Sequence, residues 1–146
     1  MSKLLRKFQW LIMLTILVIP LLTACSGGAS ASGNTKPVDV QVTLTEFGIS
    51  SSITTFTKGM PYHFVITNKG SMAHEFLIMP PTPATTPHDQ ALKMALASVG
   101  TDQLGPGQTA TLDYTFTTAA PAGTLEFACH LPGHYEGGMK EAIVVN

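Results

Sequence analysis

A cysteine, a histidine and a methionine recur at regular spacing near the C-terminus of this 146-residue chain. Four residues separate Cys129 from His134 and four more separate His134 from Met139, so a thiolate, an imidazole and a thioether share one short loop. Pro132-Gly133 and Gly137-Gly138 supply the turn residues that let this loop fold back on itself. A trigonal set of two histidines and a cysteine, with a weak axial methionine, is the donor set of blue-copper centres. The loop therefore predicts three of the four ligands of a copper site.

The second imidazole must come from elsewhere in the chain, which contains five histidines. His74 is the candidate, because it lies at a predicted loop-to-strand junction shortly after the turn at 68–70. His63 lies within a predicted strand and is interpreted as a surface or core residue, and His88 follows a proline-rich loop and is interpreted as solvent-exposed. His130 directly follows the cysteine, so in an extended segment its side chain would point away from the metal.

With His74 included, the chain resembles the cupredoxins, the small blue-copper fold in which one histidine starts a mid-chain strand and the other ligands come from the last long loop. The run Cys-x2-Pro-Gly-His-x3-Gly-Met is most similar to the rusticyanin and sulfocyanin branch, and the resemblance covers residues 38–146. It implies one copper ion bound by an imidazole nitrogen from each of His74 and His134, by the Cys129 thiolate and, weakly, by Met139.

The resemblance also implies supporting groups around the copper. The backbone N–H of Glu75 is expected to donate a hydrogen bond to the Cys129 sulfur, whereas Pro132 has no N–H and removes a possible donor. Family members usually carry Asn or Ser after the first histidine, so a loop-tying role for the Glu75 side chain is open. In cupredoxins an apolar surface around the outermost histidine docks redox partners, and here it would comprise Leu131, Pro132, Gly133 and Tyr135. For Leu131, a packing role is equally consistent with the sequence.

Alternating apolar and polar residues predict an all-β fold. Strands are predicted at 38–44, 49–56, 62–67, 74–79, 109–117, 124–129 and 142–145. Four prolines at 80–87 predict a loop, and apolar residues at helical spacing predict one short helix, capped by Asp89 and ending near Ser98. This order of elements predicts an antiparallel Greek-key β-sandwich or barrel with one short helix.

The N-terminus has the features of a secretion signal. Basic residues at 3–7 precede an apolar run at 10–22, which is shorter than the roughly 20 residues of a spanning helix. Leu22-Thr23-Ala24-Cys25 resembles the bacterial lipobox, in which the cysteine is lipidated and becomes the first mature residue. We therefore expect a lipoprotein signal peptide at 1–24, a lipidated Cys25 with a flexible tether at 25–36, and a cupredoxin domain at 37–146. The mature protein would be anchored to the bacterial membrane on its cell-surface or periplasmic side.

Charge and cysteine content exclude some functions. From residue 25 onward the chain has five lysines and nine acidic residues, a balance of −4, which does not favour nucleic-acid binding. If Cys25 is lipidated, Cys129 is the remaining thiol in an oxidising compartment, where metal ligation would protect it. The expected partners are transient redox proteins and the membrane, with the protein itself a monomer.

Three classes of function remain to be weighed. The first is a membrane-tethered, one-electron blue-copper carrier, and the second is an extracytoplasmic copper delivery or sequestration protein with the same fold. An enzyme is not expected, because no residue is identified that would orient Cys129 and a histidine for nucleophilic catalysis. Dinuclear copper centres need a second nearby cysteine and multicopper oxidases need His-x-His pairs, which the sequence does not offer. Zinc is disfavoured because a methionine is a poor fourth zinc ligand.

Overall fold

The computed structural model describes residues 35–146 of the chain. The predicted signal peptide at 1–24 and the predicted lipid-bearing Cys25 lie outside the described residues, as does most of the predicted tether. Within the described part, no helix combines the length and the apolar character needed to cross a membrane.

Nine strands and one short helix form residues 35–146. In chain order they are β1 (Val38–Thr45), β2 (Gly48–Ser51), β3 (Thr55–Phe56), β4 (Pro61–Asn68), β5 (Phe76–Met79), α1 (His88–Met94), β6 (Ala97–Val99), β7 (Thr109–Thr115), β8 (Ala120–Ala128) and β9 (Lys140–Val145). The strands form two sheets, ordered β2-β1-β4-β7 and β3-β9-β8-β5-β6. Apolar side chains of both sheets meet in one core. The predicted β-sandwich with one short helix is therefore confirmed.

Two strand pairs correct the expectation of a wholly antiparallel sandwich. β1 pairs with β4 in parallel and β3 pairs with β9 in parallel, whereas the other pairs are antiparallel. After β2 the chain leaves the first sheet to form β3 in the second, and then returns to place β4 beside β1. An alternating pattern reports which face of a strand is buried and not the direction of its neighbour, so the sequence pattern could not distinguish the two arrangements.

The predicted strand at 49–56 is divided between the two sheets. β2 ends at Ser51, whose hydroxyl donates to the Ile53 carbonyl at 2.7 Å, and β3 contains only Thr55 and Phe56. β2 pairs with β1, while β3 pairs with β9. Serine side chains that bond to nearby backbone compete with the hydrogen bonds of a strand ladder, which explains why the strand breaks at this point.

Aromatic side chains fill the centre of the sandwich. The rings of Phe64 in β4 and Phe127 in β8 make an edge-to-face contact at 5.7 Å, and Phe76 in β5 lies 4.9 Å from Phe127. All three are fully buried, and such burial contributes about 1.5–3 kcal/mol per side chain. Phe76 and Phe127 each lie two residues from a predicted copper ligand, His74 and Cys129. This contact therefore fixes the two ligand-bearing strands against each other.

The helix is shorter than the sequence predicts. Pro87, and not Asp89, precedes its first turn, and no side chain caps it. Ala91 is its buried residue, whereas Leu92 and Leu96 are exposed, so the predicted apolar stripe does not face the core. Where the helix was expected to continue, the chain forms β6 along β5. Pairing with β6 satisfies backbone groups of β5 that would otherwise lie at an open sheet edge.

A second, smaller core lies beneath the helix. β5 is buried along its whole length, with Phe76 and Ile78 in the main core and Leu77 and Met79 in the second one. Alternation of side chains along a strand places these two pairs on opposite faces. The second core also contains Ala91, Ala128 and Tyr135. The end of β8 and part of the ligand loop are thus packed on both sides.

Candidate metal centre

Strand pairing brings the predicted ligands to one end of the second sheet. Because β5 and β8 are antiparallel, with Leu77 opposite Ala128, the start of β5 lies beside the end of β8. Cys129 directly follows β8, and Met139 directly precedes β9, which pairs with β8. His74 lies two residues before β5, so it belongs to the preceding loop and does not open the strand as predicted.

Three of the four predicted ligands meet in a buried cluster. His74 Nδ1 lies 3.2 Å from His134 Nδ1, and Cys129 Sγ lies 3.4 Å from the same His134 atom. One potential ligand atom from each of the three residues falls within 4.8 Å of the other two. His74 and Cys129 are fully buried, and His134 is 8% exposed. Within residues 35–146, it is the only group of three or more His, Cys, Asp or Glu side chains that could hold a metal ion.

Met139 completes the loop next to the cluster. It is fully buried and packs in the same apolar core as Cys129. Its backbone N–H donates to the His134 carbonyl at 3.0 Å, and its carbonyl accepts from the Cys129 N–H at 3.1 Å. Gly133 and Gly138 take φ angles of 85° and 99°, a region that side chains disfavour, which lets the loop close this tightly. The backbone thereby holds residues 129, 134 and 139 against one another.

A buried asparagine positions His74, and sequence analysis assigned it only to a turn. Asn68 donates from Nδ2 to the carbonyls of Met72 and Leu104 at 2.7 and 2.8 Å, and its Oδ1 accepts from the Gly70 N–H at 2.8 Å. The His74 N–H donates to the same Leu104 carbonyl at 3.1 Å. Because the Asn68 side chain is fully buried and makes three hydrogen bonds, its replacement would destabilise the fold more than replacement of an exposed turn residue. The signal available in the sequence was its position at the end of an alternating strand, where the alternation turns the Asn68 side chain toward the core.

The surroundings of Cys129 combine burial with backbone donors. Burial raises the pKa of the thiol to about 11, while hydrogen bonds from the backbone N–H groups of Glu75 and Leu131 act in the opposite direction. The Glu75 donor was expected from the sequence, whereas the Leu131 donor was not. Pro132, which has no N–H, follows Leu131 directly. Such backbone donors orient a thiolate ligand and tune its electron density.

The Glu75 side chain joins the two ligand segments. Its Oε1 accepts from the backbone N–H of His130 at 2.8 Å, and its Oε2 pairs with His88 Nε2 at 2.9 Å. The carboxylate is almost completely buried, so it would be costly to leave without these partners. Glu75 therefore does tie the loops together, although it differs from the Asn or Ser expected at this position. His88, which the sequence predicted to be solvent-exposed, has a side chain that is 38% exposed, and the sequence did not reveal its pairing with Glu75.

Tyr135 corrects the predicted docking surface. The residue is 2% exposed, its hydroxyl donates to Glu126 Oε1 at 2.5 Å, and its ring stacks on His130 at 4.0 Å. It therefore belongs to the second core, which the sequence did not reveal because that core exists only after β8 and α1 come together. Of the predicted docking residues, Pro132 and Gly133 are exposed and Leu131 is half-buried against the main core.

The two other histidines that the sequence set aside have partners away from the cluster. His130 is buried, and its Nε2 lies 3.0 Å from the Thr82 hydroxyl. His63 Nδ1 pairs with Asp113 at 2.6 Å on the first sheet, where the side chain is partly exposed. Neither belongs to the group formed by His74, Cys129 and His134.

The donor set fits copper. Burial lowers the pKa of His74, and the interaction with His134 acts in the same direction, so the neutral imidazole with an available lone pair is favoured. Two imidazole nitrogens and a thiol that face one another in a dry site match the ligands of a copper centre. Zinc would require a stronger fourth donor than the thioether of Met139.

Gly70 lies against His74, and its replacement by alanine is expected to weaken copper binding. A Cβ at this position would lie 2.8 Å from His74 Nε2 and 2.9 Å from Glu46 Oε1, so the ligand ring or the loop must move. Overpacking of this kind typically costs about 1–3 kcal/mol, which corresponds to a loss of roughly five- to hundredfold in affinity. Competition with a chromogenic chelator measures the change.

Gly100→Ala is the matched control for Gly70→Ala. Its added Cβ would meet only the side chain of the exposed Asp102, which can move aside. We expect copper affinity close to that of the wild type. An equal loss of affinity in both variants would show that the effect at Gly70 does not act through His74.

No protein-family model matches the chain. A copper-resistant cuproprotein CopI from Rubrivivax gelatinosus is 34% identical over 95 residues, covering 62% of this chain and 55% of that protein. A copper-resistant cuproprotein CopI from Pseudomonas aeruginosa is 29% identical over 119 residues, covering 60% of this chain and 64% of that protein. The chain therefore spans little more than half to just under two thirds of the length of these two relatives.

Solved structures show the likeness of the fold. Reduced auracyanin from Roseiflexus castenholzii matches with a TM-score of 0.56 at 20% identity, covering 75% of this chain and 97% of that one. Reduced rusticyanin matches with a TM-score of 0.54 at 21% identity, covering 76% and 80% of the two chains. An azurin from Methylomonas sp. strain J matches with a TM-score of 0.51 at 15% identity, covering 75% and 98%. The expectation drawn from the ligand motif is thus confirmed at the level of the fold.

Proposed function

We propose that this chain, which has the cupredoxin fold, is a blue-copper electron-transfer protein that carries one electron to or from redox partner proteins. One copper ion would be held by His74 Nδ1, Cys129 Sγ and His134 Nδ1, with Met139 as a weak fourth ligand. The observation that carries the proposal is that one donor atom from each of His74, Cys129 and His134 lies within 4.8 Å of the other two in a buried site. When bound, copper supplies the one-electron couple between Cu(II) and Cu(I).

The rigidity of the frame supports a carrier function. His74 is held through the Leu104 carbonyl, while Cys129 and His134 are both bonded to the backbone of Met139. Ligands that keep one geometry in both oxidation states need little reorganisation when an electron moves. The backbone donors from Glu75 and Leu131 would stabilise the Cys129 sulfur in that geometry.

Partner docking and membrane attachment are parts of the same proposal. Leu131, Pro132 and Gly133 lie on the ligand loop and would form the surface through which redox partners approach His134. A lipid on Cys25 would tether the protein, as a monomer, to the extracytoplasmic side of the bacterial membrane. The tether would let the domain reach partners beside that membrane.

A second candidate function is copper delivery or sequestration outside the cytoplasm. It is favoured by the two relatives that are named copper-resistant cuproproteins. The same donor set would serve this function, because soft sulfur ligands retain Cu(I). The two candidates differ in whether the bound ion cycles rapidly between oxidation states.

An enzymatic function for Cys129 is not proposed. Nucleophilic cysteines have a lowered pKa and are partly accessible. Burial instead raises the pKa of Cys129 to about 11, and the side chain is completely buried. These properties support a ligand and not a nucleophile.

Copper titration of the purified full chain tests the proposal. An intense red-region absorption band from thiolate-to-copper charge transfer, together with a reversible one-electron wave in voltammetry, is the expected result. A colourless protein that binds copper would favour delivery or sequestration over electron transfer. A chain that binds no copper would contradict both candidate functions.

Replacing Met139 with leucine is expected to keep the site and raise its reduction potential. The exchange nearly conserves volume, so it should cost less than about 1.5 kcal/mol of stability. It removes a weak donor and makes the fully buried site drier, and both effects favour Cu(I). Protein-film voltammetry measures the shift.

Met79→Leu is the control for Met139→Leu. Met79 is equally buried but belongs to the second core beneath the helix. Its replacement should leave the potential unchanged. An unchanged or lowered potential in Met139→Leu would show that Met139 is not the axial ligand.

A further inference from the structure

An aromatic side chain outside the ligand loop lies against one of the ligands. The ring of Phe47 makes an edge-on contact with His134, with ring centroids 5.8 Å apart and planes at 69°. Phe47 belongs to the two-residue turn between β1 and β2, which we call the Glu46–Phe47 turn. The same ring lies so close to Gly137 that a Cβ at position 137 would overlap it. Phe47 thus covers the part of the ligand loop that carries His134.

The backbone of Phe47 is unusual for an aromatic residue. Its φ angle is 60°. Within residues 35–146, Phe47 is the only residue other than glycine that has a positive φ. Turns of this kind normally place glycine or asparagine at such a position, because a side chain is disfavoured there. The ring is also 48% exposed, so core burial alone does not explain why phenylalanine stands here. Strained residues of this type persist where the surrounding structure holds them, often beside functional sites.

The other residue of the turn is bonded to the segment that leads to His74. Glu46 accepts hydrogen bonds from the backbone N–H and, at 2.9 Å, from the hydroxyl of Ser71. The backbone bond from Ser71 is the main reason that the pKa of Glu46 is lowered to about 2, so the carboxylate is ionised at every physiological pH. The Glu46–Phe47 turn therefore contacts both ligand-bearing segments, 70–74 through Glu46 and 134–137 through Phe47.

We propose that the Glu46–Phe47 turn is a clasp that retains the metal, in which Phe47 is a positioning residue that keeps His134 on the copper ion. This inference rests on the proposed copper site. Release of the ion requires at least one ligand to turn away, and His134 is the ligand nearest to solvent. Because Phe47 packs edge-on against His134, it would hinder outward rotation of that ring and the approach of water or a chelator from that side. The clasp therefore slows copper release without contributing a donor atom.

Copper release from the full chain, purified in mild detergent, tests the clasp. Phe47→Asn removes the ring while placing a residue that tolerates positive φ, so folding should be preserved. An edge-to-face contact contributes enough that its loss should accelerate copper transfer to an excess of chelator by about two- to tenfold. Phe47→Tyr keeps the ring edge and should release copper at the wild-type rate.

Two further measurements separate this role from a general loss of stability. Leu96→Ala removes a similarly exposed apolar side chain from a residue outside the ligand loop, whose backbone N–H donates to the Ile78 carbonyl, and it should leave the release rate unchanged. In the metal-free protein, NMR signals of the His134 ring should shift in Phe47→Asn, because the neighbouring aromatic ring is gone, while the thermal unfolding midpoint stays close to that of the wild type.

The outcomes of these measurements distinguish failure of the clasp from failure of the copper site. If the wild type turns blue with copper but Phe47→Asn releases the ion no faster, or if the His134 signals of the metal-free protein do not move, the clasp is wrong and the copper site stands. If the wild type binds no copper, the proposed function and the clasp are both overturned. Faster release in Leu96→Ala to the same extent as in Phe47→Asn would also overturn the clasp.

Discussion

Replacing Cys129 with serine is expected to abolish the colour of the copper-loaded protein and reduce copper binding to background. A serine hydroxyl does not ionise near neutral pH and offers no soft sulfur donor, so the thiolate-to-copper band cannot form. Cys129 is fully buried and serine has a similar size, so the fold should be retained. Visible absorption during a copper titration, with far-ultraviolet circular dichroism to verify folding, measures the outcome.

His130→Ala is the matched control, because His130 is adjacent to Cys129 and also buried. Its Nε2 pairs with the Thr82 hydroxyl and its ring stacks on Tyr135, so its loss should cost about 1–3 kcal/mol of stability. The colour and the copper stoichiometry should remain those of the wild type. Loss of the colour in a folded His130→Ala protein would mean that the ligands are assigned wrongly.

Copper affinity is expected to increase about tenfold for each pH unit between pH 7 and pH 9, or about a hundredfold over this range. The sign follows from the protonation states of the metal-free site. With a pKa of about 11, Cys129 carries its proton throughout this range, so each copper ion that binds must displace one proton. Burial lowers the pKa of His74, so above pH 7 that imidazole adds no second proton. Binding therefore becomes weaker as the pH falls.

Chelator competition at several pH values measures this slope, and a weakly buffered titration counts the protons released per copper ion. We expect about one proton per ion. His63→Ala is a useful control, because His63 pairs with Asp113 on the first sheet and does not belong to the ligand cluster, so it should leave the slope unchanged. A pH-independent affinity in the wild type would show that the thiol is already ionised before copper binds.

The two candidate functions place different demands on the same residues. A carrier must keep its ion through many cycles. The clasp at the Glu46–Phe47 turn would serve this requirement directly, and so would the backbone hydrogen bonds of Met139. A delivery protein must give up its ion to a partner, and the clasp would have to open before His134 could leave the ion. Release rates measured with and without a reductant therefore bear on the function as well as on the clasp.

Most of what could be predicted about the site came from the spacing of its cysteine, histidine and methionine ligands in the sequence. Cys129, His134 and Met139 lie on one loop, so their proximity is a local property that chain length and turn residues determine. His74 was identified from its position at a loop-to-strand junction, although the strand begins two residues later than expected. Alternation along β1 likewise predicted that Val40, Val42 and Leu44 face the core, although Val38, at the start of the same pattern, is exposed.

Other features depended on which strands become neighbours. The parallel pairing of β1 with β4 follows from a crossover between sheets, and the burial of Tyr135 follows from the packing of α1 against β5 and β8. The role of the Glu75 carboxylate required both the His130 backbone and His88 to lie within hydrogen-bonding distance. No periodicity of apolar residues and no motif spacing in the sequence indicates any of these contacts.

By itself, the sequence determined the chemistry of the copper site, because a thiolate, imidazoles and a thioether at loop spacing suit one kind of metal. Only the tertiary structure decided how that site is enclosed. Phe47 is 87 residues from His134 along the chain, and it reaches that ring because the turn after β1 lies at the same end of the sandwich as the loop after β8. Contacts of this kind are long-range, so they are determined by the packing of the two sheets and not by any local pattern of residues.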